Sequence, residues 1–230
     1  MLILLDTKMP DEAKGTLVAF GETLEFSTEG ITYEAISGHP DIFFCPSPAG
    51  LIVAPNLPYY YFKILNQKGI SFTTGNLPVG KKYPESARYN ALVTGNLFMH
   101  NTRISDSSIH KLNPASETIH LKQGYTRCSL IALPNNTFIT SDHGIEKTLK
   151  LNKFEVLFVD PECVKLDGFE HGFLGGACGI HENSLFICGS MKYIKEKELI
   201  EHFTARAGVQ IIELYDGPPM DIGTLIFLQN

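Results

Sequence analysis

One pattern of strand, turn, strand, helix and strand recurs along the chain and constrains its fold more than any other feature. The clearest copy has two short apolar segments, residues 90–93 and 96–99, joined by a Thr94-Gly95 turn. Helical spacing over residues 105–112 and a short strand at residues 118–121 complete it. A repeated unit of this size predicts a ring or a stacked array, because one unit alone cannot bury its apolar face.

Three further copies have the same order of segments, and the second strands of the four copies begin near residues 51, 96, 137 and 184. Each predicted helix has one apolar face, as Ile194, Ile200 and Phe203 illustrate. We therefore expect the helices to pack outside the sheets. The additional copies are residues 41–44, 51–54, 58–66 and 70–73; residues 128–133, 137–140, 145–151 and 154–159; and residues 178–181, 184–188, 194–207 and 209–214.

The segments at the two chain ends complete a fifth copy. Residues 224–228 supply its first strand, and residues 2–5, 11–20 and 23–26 supply a strand, a helix and a strand. A unit shared by both ends is what a closed ring requires. We therefore predict that residues 1–230 form a single α/β domain, a five-bladed α/β propeller of ββαβ repeats whose last blade is closed by both termini. The alternative is an open α/β sheet with segments that are similar by chance.

The composition limits the kinds of ligand and macromolecule that the protein is expected to bind. The chain has a net charge of -6 and a pI near 5.7, which argues against nucleic-acid and membrane partners and favours a small cationic molecule. It lacks a basic leader and any run of about 18 apolar residues, so neither a signal peptide nor a membrane helix is predicted. Five cysteines without Cys-x-x-Cys pairs indicate free thiols and a cytoplasmic protein. Oligomeric state is left open.

The first strands of a five-bladed ring line its axis, so the segments that enter them should converge on a central cleft. These segments are polar and rich in glycine, and they carry a thiol, an imidazole and carboxylates. A cysteine nucleophile needs a nearby histidine or cation, and a guanidinium ligand needs carboxylates that match its planar donors. The five segments are residues 38–41, 87–90, 124–128, 175–178 and 219–223.

Three of these segments resemble motifs of the pentein superfamily of guanidino-group-modifying enzymes, which includes arginine deiminases, agmatine deiminases, dimethylarginine hydrolases and amidinotransferases. Gly38-His39-Pro40-Asp41 is similar to the His-x-Asp segment that supplies a general acid/base and a substrate carboxylate. Gly124-Tyr125-Thr126-Arg127-Cys128 resembles the Gly-x-x-Arg-Cys segment that carries the nucleophile of arginine deiminases. Around the closed ring, Asp221-Ile222-Gly223-Thr224 takes the place of Glu-Gly-Gly-Asp.

The resemblance implies a cysteine-dependent hydrolase or transferase for a guanidine-like or amidine-like small molecule, with no metal or organic cofactor. Cys128 would be the nucleophile and His39 the acid/base, while Asp41 and Asp221 would hold the cation. Three departures from the pattern leave open whether the protein is an enzyme: a proline lies inside His-x-Asp, Thr224 replaces an acid, and only one glycine precedes Arg127-Cys128. The noncatalytic branch of the superfamily, the ribosome anti-association factors, implies an alternative ring that binds a protein or ribosomal partner. An isomerase-like or lyase-like activity in the same cleft is a third interpretation.

Further candidates come from the same entry segments. Cys178 is a rival nucleophile, because the glycines before it would let a substrate approach the backbone closely. Glu170 and His171 lie in the long loop before this segment and are candidates for a lid. Each candidate also has a structural interpretation, since buried cysteines pack as small apolar residues and aspartates cap turns. The predicted substrate-binding residues besides Asp221 are Arg88, Asn90, Gly175, Gly176 and Cys178.

Overall fold

A computed structural model describes residues 1–229 and contains five sheets of three strands each; Asn230, the last residue of the predicted domain, lies outside the described residues. In every sheet the middle strand is antiparallel to the first and parallel to the third. A helix joins each parallel pair, as a crossover connection requires. The strands are β1 (Leu2–Asp6), β2 (Glu22–Phe26), β3 (Phe44–Ser47), β4 (Gly50–Val53), β5 (Phe72–Thr74), β6 (Leu92–Val93), β7 (Leu97–His100), β8 (Glu117–His120), β9 (Leu130–Leu133), β10 (Thr137–Thr140), β11 (Glu155–Phe158), β12 (Cys178–His181), β13 (Ser184–Ile187), β14 (Gln210–Glu213) and β15 (Ile226–Leu228). The helices are α1 (Asp11–Leu17), α2 (Tyr59–Gln67), α3 (Ser107–Leu112), α4 (Thr126–Ser129), α5 (His143–Leu151) and α6 (Lys197–Arg206).

The fifth sheet has the order β15-β1-β2 and is built from both ends of the chain. Leu2 lies opposite Leu228, and Leu4 lies opposite Ile226, in an antiparallel pair. The prediction of a blade shared by both termini is therefore confirmed. With four other blades of the same ββαβ order, the structure is the predicted five-bladed α/β arrangement.

The first strands of neighbouring blades contact one another around the centre, where β3 meets β6, and β12 meets both β9 and β15. The middle strands are apolar because they are covered on both faces; all five residues of β1 are buried. One core cluster accordingly joins side chains from several blades, including Leu4, Phe44, Ile52 and Phe98. Each such buried side chain stabilises the fold by about 1.5–3 kcal/mol.

A tight helical turn precedes four of the five first strands, which the sequence pattern did not indicate. Residues 128–133 were predicted as a strand, but Cys128 lies in α4 and β9 starts only at Leu130. The Thr126 hydroxyl donates to the Gln123 carbonyl at 2.8 Å and closes this turn. Similarly, Pro40–Ile42, Glu85–Ala87 and Gly175–Ala177 form single helical turns before β3, β6 and β12. These turns hold the side chains of the entry segments at the centre of the ring.

Helix boundaries differ most from the pattern at two places. The helix predicted over residues 194–207 begins at Lys197, because Met191–Tyr193 forms a separate turn before it. Gly208, with φ of 74°, follows its end in the left-handed conformation that glycine adopts readily. The helix predicted over residues 11–20 ends at Leu17. None of the helices in residues 1–229 has the length and apolarity that crossing a membrane demands.

Candidate functional site

Side chains from separate blades meet at the centre of the ring. His39 and Asp41 flank the start of the Pro40–Ile42 turn, and Cys128 lies in α4. The Cys128 thiol donates a hydrogen bond to Asp41 Oδ2 at 2.9 Å. One ligand atom from each of these three residues lies within 4.8 Å of the other two. The three residues predicted as a catalytic set are thus neighbours, although 89 positions separate His39 from Cys128.

An inner cavity of about 300 Å³ opens beside the thiol. His39, Cys128 and Asp221 line it, whereas Asp41 lies behind the thiol and is completely buried. Glu170 and His171 of the long loop also line this cavity. A volume of this size suits a small ligand, and its wall carries a thiol, an imidazole and a carboxylate.

Asn90 orients Cys128 through contacts with both the backbone and the thiol of the cysteine turn. Its side-chain oxygen accepts hydrogen bonds from the backbone N–H groups of Arg127, at 2.9 Å, and Cys128, at 3.2 Å. Its amide nitrogen lies 3.3 Å from Cys128 Sγ. Asn90 was predicted as a substrate-binding residue; the structure places it fully buried beneath the cysteine turn and outside the lining of the inner cavity.

Burial sets the ionisation of the thiol and its partner. It raises the pKa of Asp41 to about 6, although the hydrogen bonds that Cys128 and Thr224 donate to Asp41 oppose this shift. The pKa of Cys128 is raised well above its ordinary value by burial and then by the negative charges of Asp41 and Asp221. The Cys128 thiol is therefore protonated at neutral pH.

His39 lies between two buried carboxylates. Its Nε2 is 3.8 Å from Asp6 Oδ2, and its Nδ1 is 3.8 Å from Asp221 Oδ1. Burial raises the pKa of Asp6, and the nearby His39 opposes the shift. Sequence reasoning missed Asp6, which ends β1; the only signal was an acid directly after an apolar strand of the split blade.

The predicted site residues Gly175 and Gly176 allow Asp221 and the Cys128 backbone to pack closely against them. A Cβ atom at Gly176 would lie 2.0 Å from Asp221 Oδ1, and one at Gly175 would lie 2.5 Å from the Cys128 carbonyl oxygen. Asp221 itself accepts hydrogen bonds from the backbone N–H groups of Phe173, at 2.9 Å, and Gly223, at 3.0 Å. Both predicted glycines thus bring backbone against Asp221 and the cysteine turn.

Two other predicted residues lie away from the inner cavity. Cys178 lines a separate cavity of about 70 Å³ together with Arg127, and burial raises the pKa of its thiol. The Arg88 guanidinium donates to the Pro78 carbonyl and is not part of the inner cavity lining. The geometry thus favours Cys128 over Cys178 as the thiol that a ligand of the inner cavity can reach.

Aromatic side chains at the mouth of the inner cavity were also missed. Tyr33 and Tyr125 line it, and the Tyr33 hydroxyl donates to the Tyr125 hydroxyl at 3.4 Å. The Tyr125 hydroxyl lies a further 2.6 Å from Ser86 Oγ. Tyr125 belongs to the cysteine segment, so its place in the repeat was an available signal, whereas Tyr33 lies in a loop without any repeat pattern.

The centre of the ring also holds three residues of types that ligate metal ions. His39, Asp41 and Cys128 carry suitable ligand types. However, the 2.9 Å between Cys128 Sγ and Asp41 Oδ2 is a hydrogen-bond distance, whereas two such ligands on a tetrahedral zinc ion would be about 3.6 Å apart. The thiol and the carboxylate are therefore hydrogen-bonded to each other and lie closer together than two ligands of one zinc ion.

His100 holds the segment that leads to the cysteine. It is fully buried at the end of β7, where Nε2 lies 2.7 Å from the Gly124 carbonyl oxygen and Nδ1 contacts the Ser105 hydroxyl. Burial lowers the pKa of His100 to about 4, so the folded protein keeps this imidazole neutral.

We expect His100→Leu to lower the free energy of unfolding at pH 7 by about 1–3 kcal/mol, because the buried Gly124 carbonyl and the half-buried Ser105 hydroxyl lose this hydrogen-bond partner. The folded pKa of His100 lies below the unfolded value, so this histidine's stabilisation is lost as pH falls from 6.5 towards 4. The difference between wild type and variant should therefore shrink by about 2 kcal/mol at pH 5. Urea unfolding at pH 7 and pH 5 measures this difference in stability. A difference that is the same at both pH values would contradict a buried, neutral His100 in the folded protein.

A sequence profile described as a family of unknown function, DUF6873, matches residues 4–226. The chain belongs to this family. No curated protein matches the DUF6873 chain in sequence.

Several solved structures share the fold of the DUF6873 chain. They include SxtG, an amidinotransferase of the saxitoxin biosynthetic pathway from Microseira wollei (12% identity, TM-score 0.54, covering 92% of this chain and 87% of that one). A dimethylarginine dimethylaminohydrolase adduct has 12% identity and a TM-score of 0.53, with 92% and 91% covered. An agmatine deiminase from C. jejuni has 11% identity and a TM-score of 0.55, with 93% and 87% covered. These neighbours are penteins, so the predicted pentein fold is confirmed.

Proposed function

We propose that this DUF6873 protein is a cysteine-dependent hydrolase or transferase that acts on a small guanidine-like or amidine-like cation. The observation that carries the proposal is the inner cavity, which Cys128, His39 and Asp221 line together. The Cys128 thiol also donates a hydrogen bond to the carboxylate of Asp41. The solved structures with this fold are titled as enzymes of guanidino chemistry, which supports the same general kind of function.

A cation is the ligand that balances the charges of this site. Three buried acids, Asp6, Asp41 and Asp221, lie around the buried His39. Lys8 acts on Asp6 and Arg127 acts on Asp41, but neither cation lines the inner cavity that Asp221 faces. Buried carboxylates are unfavourable unless a positive group or hydrogen bonds compensate them. Asp221 lines the cavity and would hold the planar N–H donors of the cation, while Asp41 contributes its charge from behind the thiol.

Binding of the cation would also activate the nucleophile. Before a cation binds, burial and the two acids raise the pKa of Cys128, so the thiol stays protonated. A positive charge beside the sulfur reverses the electrostatic part of this shift. Asp41 Oδ2 already accepts from the thiol, and its pKa of about 6 suits it to take the proton near neutral pH.

The covalent steps then follow from the neighbours of the sulfur. The Cys128 thiolate would form a bond to the central carbon, and the electron pair of the C=N bond would move to nitrogen. The tetrahedral adduct would break its C–N bond as His39 protonates the departing amine. Attack of water on the thioether-linked carbon completes hydrolysis, whereas attack of a second amine completes transfer; either nucleophile loses a proton to His39 and releases the thiolate.

A noncatalytic ring is the second candidate, and the raised pKa of Cys128 favours it. Such a ring would bind a protein or ribosomal partner, and its thiol would stay unreactive when a cation is present. Reactivity of Cys128 towards a cationic alkylating reagent therefore separates the two functions.

The affinity for a cation should depend on the ionisation of Asp41. Because the pKa of this group is about 6, its carboxylate is charged above pH 6 and neutral below. The dissociation constant of acetamidinium, measured by calorimetry, should rise as pH falls from 7.5 to 5. Asp41→Asn should weaken binding at pH 7.5 about tenfold and remove this dependence, because one charge near the ligand is lost.

The matched control is Asp167→Asn, in an exposed part of the loop that does not line the inner cavity. It should bind acetamidinium like the wild type at every pH. Wild-type affinity that is equal at pH 5 and pH 7.5 would contradict the role of Asp41.

A further inference from the structure

Arg127 and Cys128 are neighbours in α4, but their side chains line two separate cavities. Cys128 lines the inner cavity, whereas Arg127 lines the cavity of about 70 Å³ that also contains Cys178. Of residues 1–229, none lines both cavities. The walls of the smaller one come mainly from first strands, so it lies along the axis of the ring, and we call it the axial cavity. It is lined by Leu92 of β6, residues 130–132 of β9, residues 178–180 of β12, and Arg127, Gly175 and Thr224.

Arg127 gives the axial cavity a positive charge. The other lining residues are apolar residues, glycines, Thr224 and Cys178. Burial raises the pKa of the Cys178 thiol, so this group is neutral at pH 7. The Thr224 hydroxyl donates to Asp41 Oδ2 at 2.8 Å, so its proton already has an acceptor. The axial cavity therefore has the opposite charge to the acidic inner cavity.

The protein leaves the Arg127 guanidinium without a counter-charge in contact. Its Nε is buried and has no hydrogen-bond partner among residues 1–229. None of the ion pairs in this part of the chain includes Arg127. Asp41 acts on Arg127 through space but does not line the axial cavity. Burial accordingly lowers the pKa of Arg127, because an incompletely compensated cation is unfavourable away from water.

The size of the axial cavity limits what could compensate this charge. A volume of about 70 Å³ holds one small ion or a few water molecules and is too small for an organic phosphate. Arg127, Ala132 and Ile180 are only half-buried, so an ion can enter from solvent. The mostly apolar walls favour an ion of single charge, because a doubly charged ion would lose more hydration energy on entry.

We propose that the axial cavity binds a small monovalent anion of the halide or nitrate class, with Arg127 as its ligand. The guanidinium would donate charge-assisted hydrogen bonds to the ion, and the first strands would shield the pair from water. This inference does not rest on the proposed function, because a ring without catalytic activity would bind the anion equally well.

Melting temperatures in sodium chloride and in sodium gluconate at equal ionic strength test the anion site. Gluconate is also monovalent but too large for the axial cavity. Chloride should raise the Tm of the wild-type protein relative to gluconate, by about 3–6 °C once its concentration is about ten times its dissociation constant. Bound chloride should also broaden the chloride NMR resonance of the same solutions, and nitrate should narrow it again by displacement.

Two variants remove the anion site in different ways. Arg127→Gln removes the charge, whereas Ala132→Leu fills the axial cavity and leaves Arg127 in place. Each should abolish the chloride effect on Tm and on the NMR linewidth. Arg103→Gln is the matched control, because Arg103 is exposed and does not line the axial cavity; it should keep both effects.

An equal Tm of the wild-type protein in chloride and gluconate would overturn the anion site. A chloride effect that survives in folded Arg127→Gln would also overturn it, because a general salt effect would then explain the shift. If Arg127→Gln does not fold, survival of the effect in Ala132→Leu overturns the inference instead.

Discussion

Cys128→Ser should take up no 2-chloroacetamidine under conditions that modify the wild-type protein once. The amidinium head would be held by Asp221 and the buried acids, next to the sulfur that the inner cavity exposes to it. We expect removal of this thiol to slow labelling on the order of 10³-fold, the loss expected when a positioned nucleophile is replaced by an unpositioned one. Intact-mass spectrometry followed by peptide mapping measures the extent and the site of modification.

The other cysteines provide the controls. Cys178→Ser should still be labelled once, because Cys178 lines a different cavity. Neutral iodoacetamide should react first at Cys163, since the other four cysteines are buried. A cationic reagent that also prefers Cys163, or a wild-type adduct on Cys178, would contradict the assignment of Cys128.

Gly223→Ala should destabilise the protein and disable the candidate site together. Gly223 has φ of 64°, and a Cβ atom there would lie 2.2 Å from the Cβ and 2.5 Å from the Cα of His39. Its carbonyl also accepts the Asp41 backbone N–H at 3.2 Å. Left-handed strain and overpacking together should lower the free energy of unfolding by about 2–5 kcal/mol. Urea unfolding and the rate of Cys128 labelling are the measurements.

Gly69→Ala separates strain from contact. Gly69 has nearly the same φ, 68°, but no atom lies within 4 Å of the position that its Cβ would take. This variant should lose only about 1 kcal/mol and keep its labelling rate. If Gly223→Ala behaved like Gly69→Ala, the close packing of Gly223 on His39 would not be important for the site.

The repeat was predictable because each blade contains strands and a helix whose apolar spacing is local in the sequence. The split blade followed from the same pattern, and the pairing of β1 with β15 confirmed it. The turn that holds Cys128 was not predictable, because residues 128–133 read as one apolar strand and the turn is fixed by the distant Asn90. Periodicity reports which face is buried, but it carries no information on such capping contacts.

The candidate site was predictable only in part, for a related reason. His39, Asp41, Cys128 and Asp221 were found because they lie in the entry segments of three blades and these segments resemble motifs of one superfamily. Asp6 and Tyr33 lie outside the entry segments and reach the centre only through tertiary packing. Arg88 also lies in an entry segment, yet its long side chain turns away to the Pro78 carbonyl.

The split blade links assembly of the chain to the chemistry at its centre. The pairing of Leu2 with Leu228 joins residues that are almost the whole sequence apart, and contacts of this range form slowly because a very long loop must be closed. Asp6, Asp221 and Thr224 all lie beside that seam. On the proposed function, a partly folded molecule would lack Asp6 and Asp221, two of the acids expected to attract a cation to the thiol, so the labelling expected of Cys128 would arise only in a chain whose ring has closed.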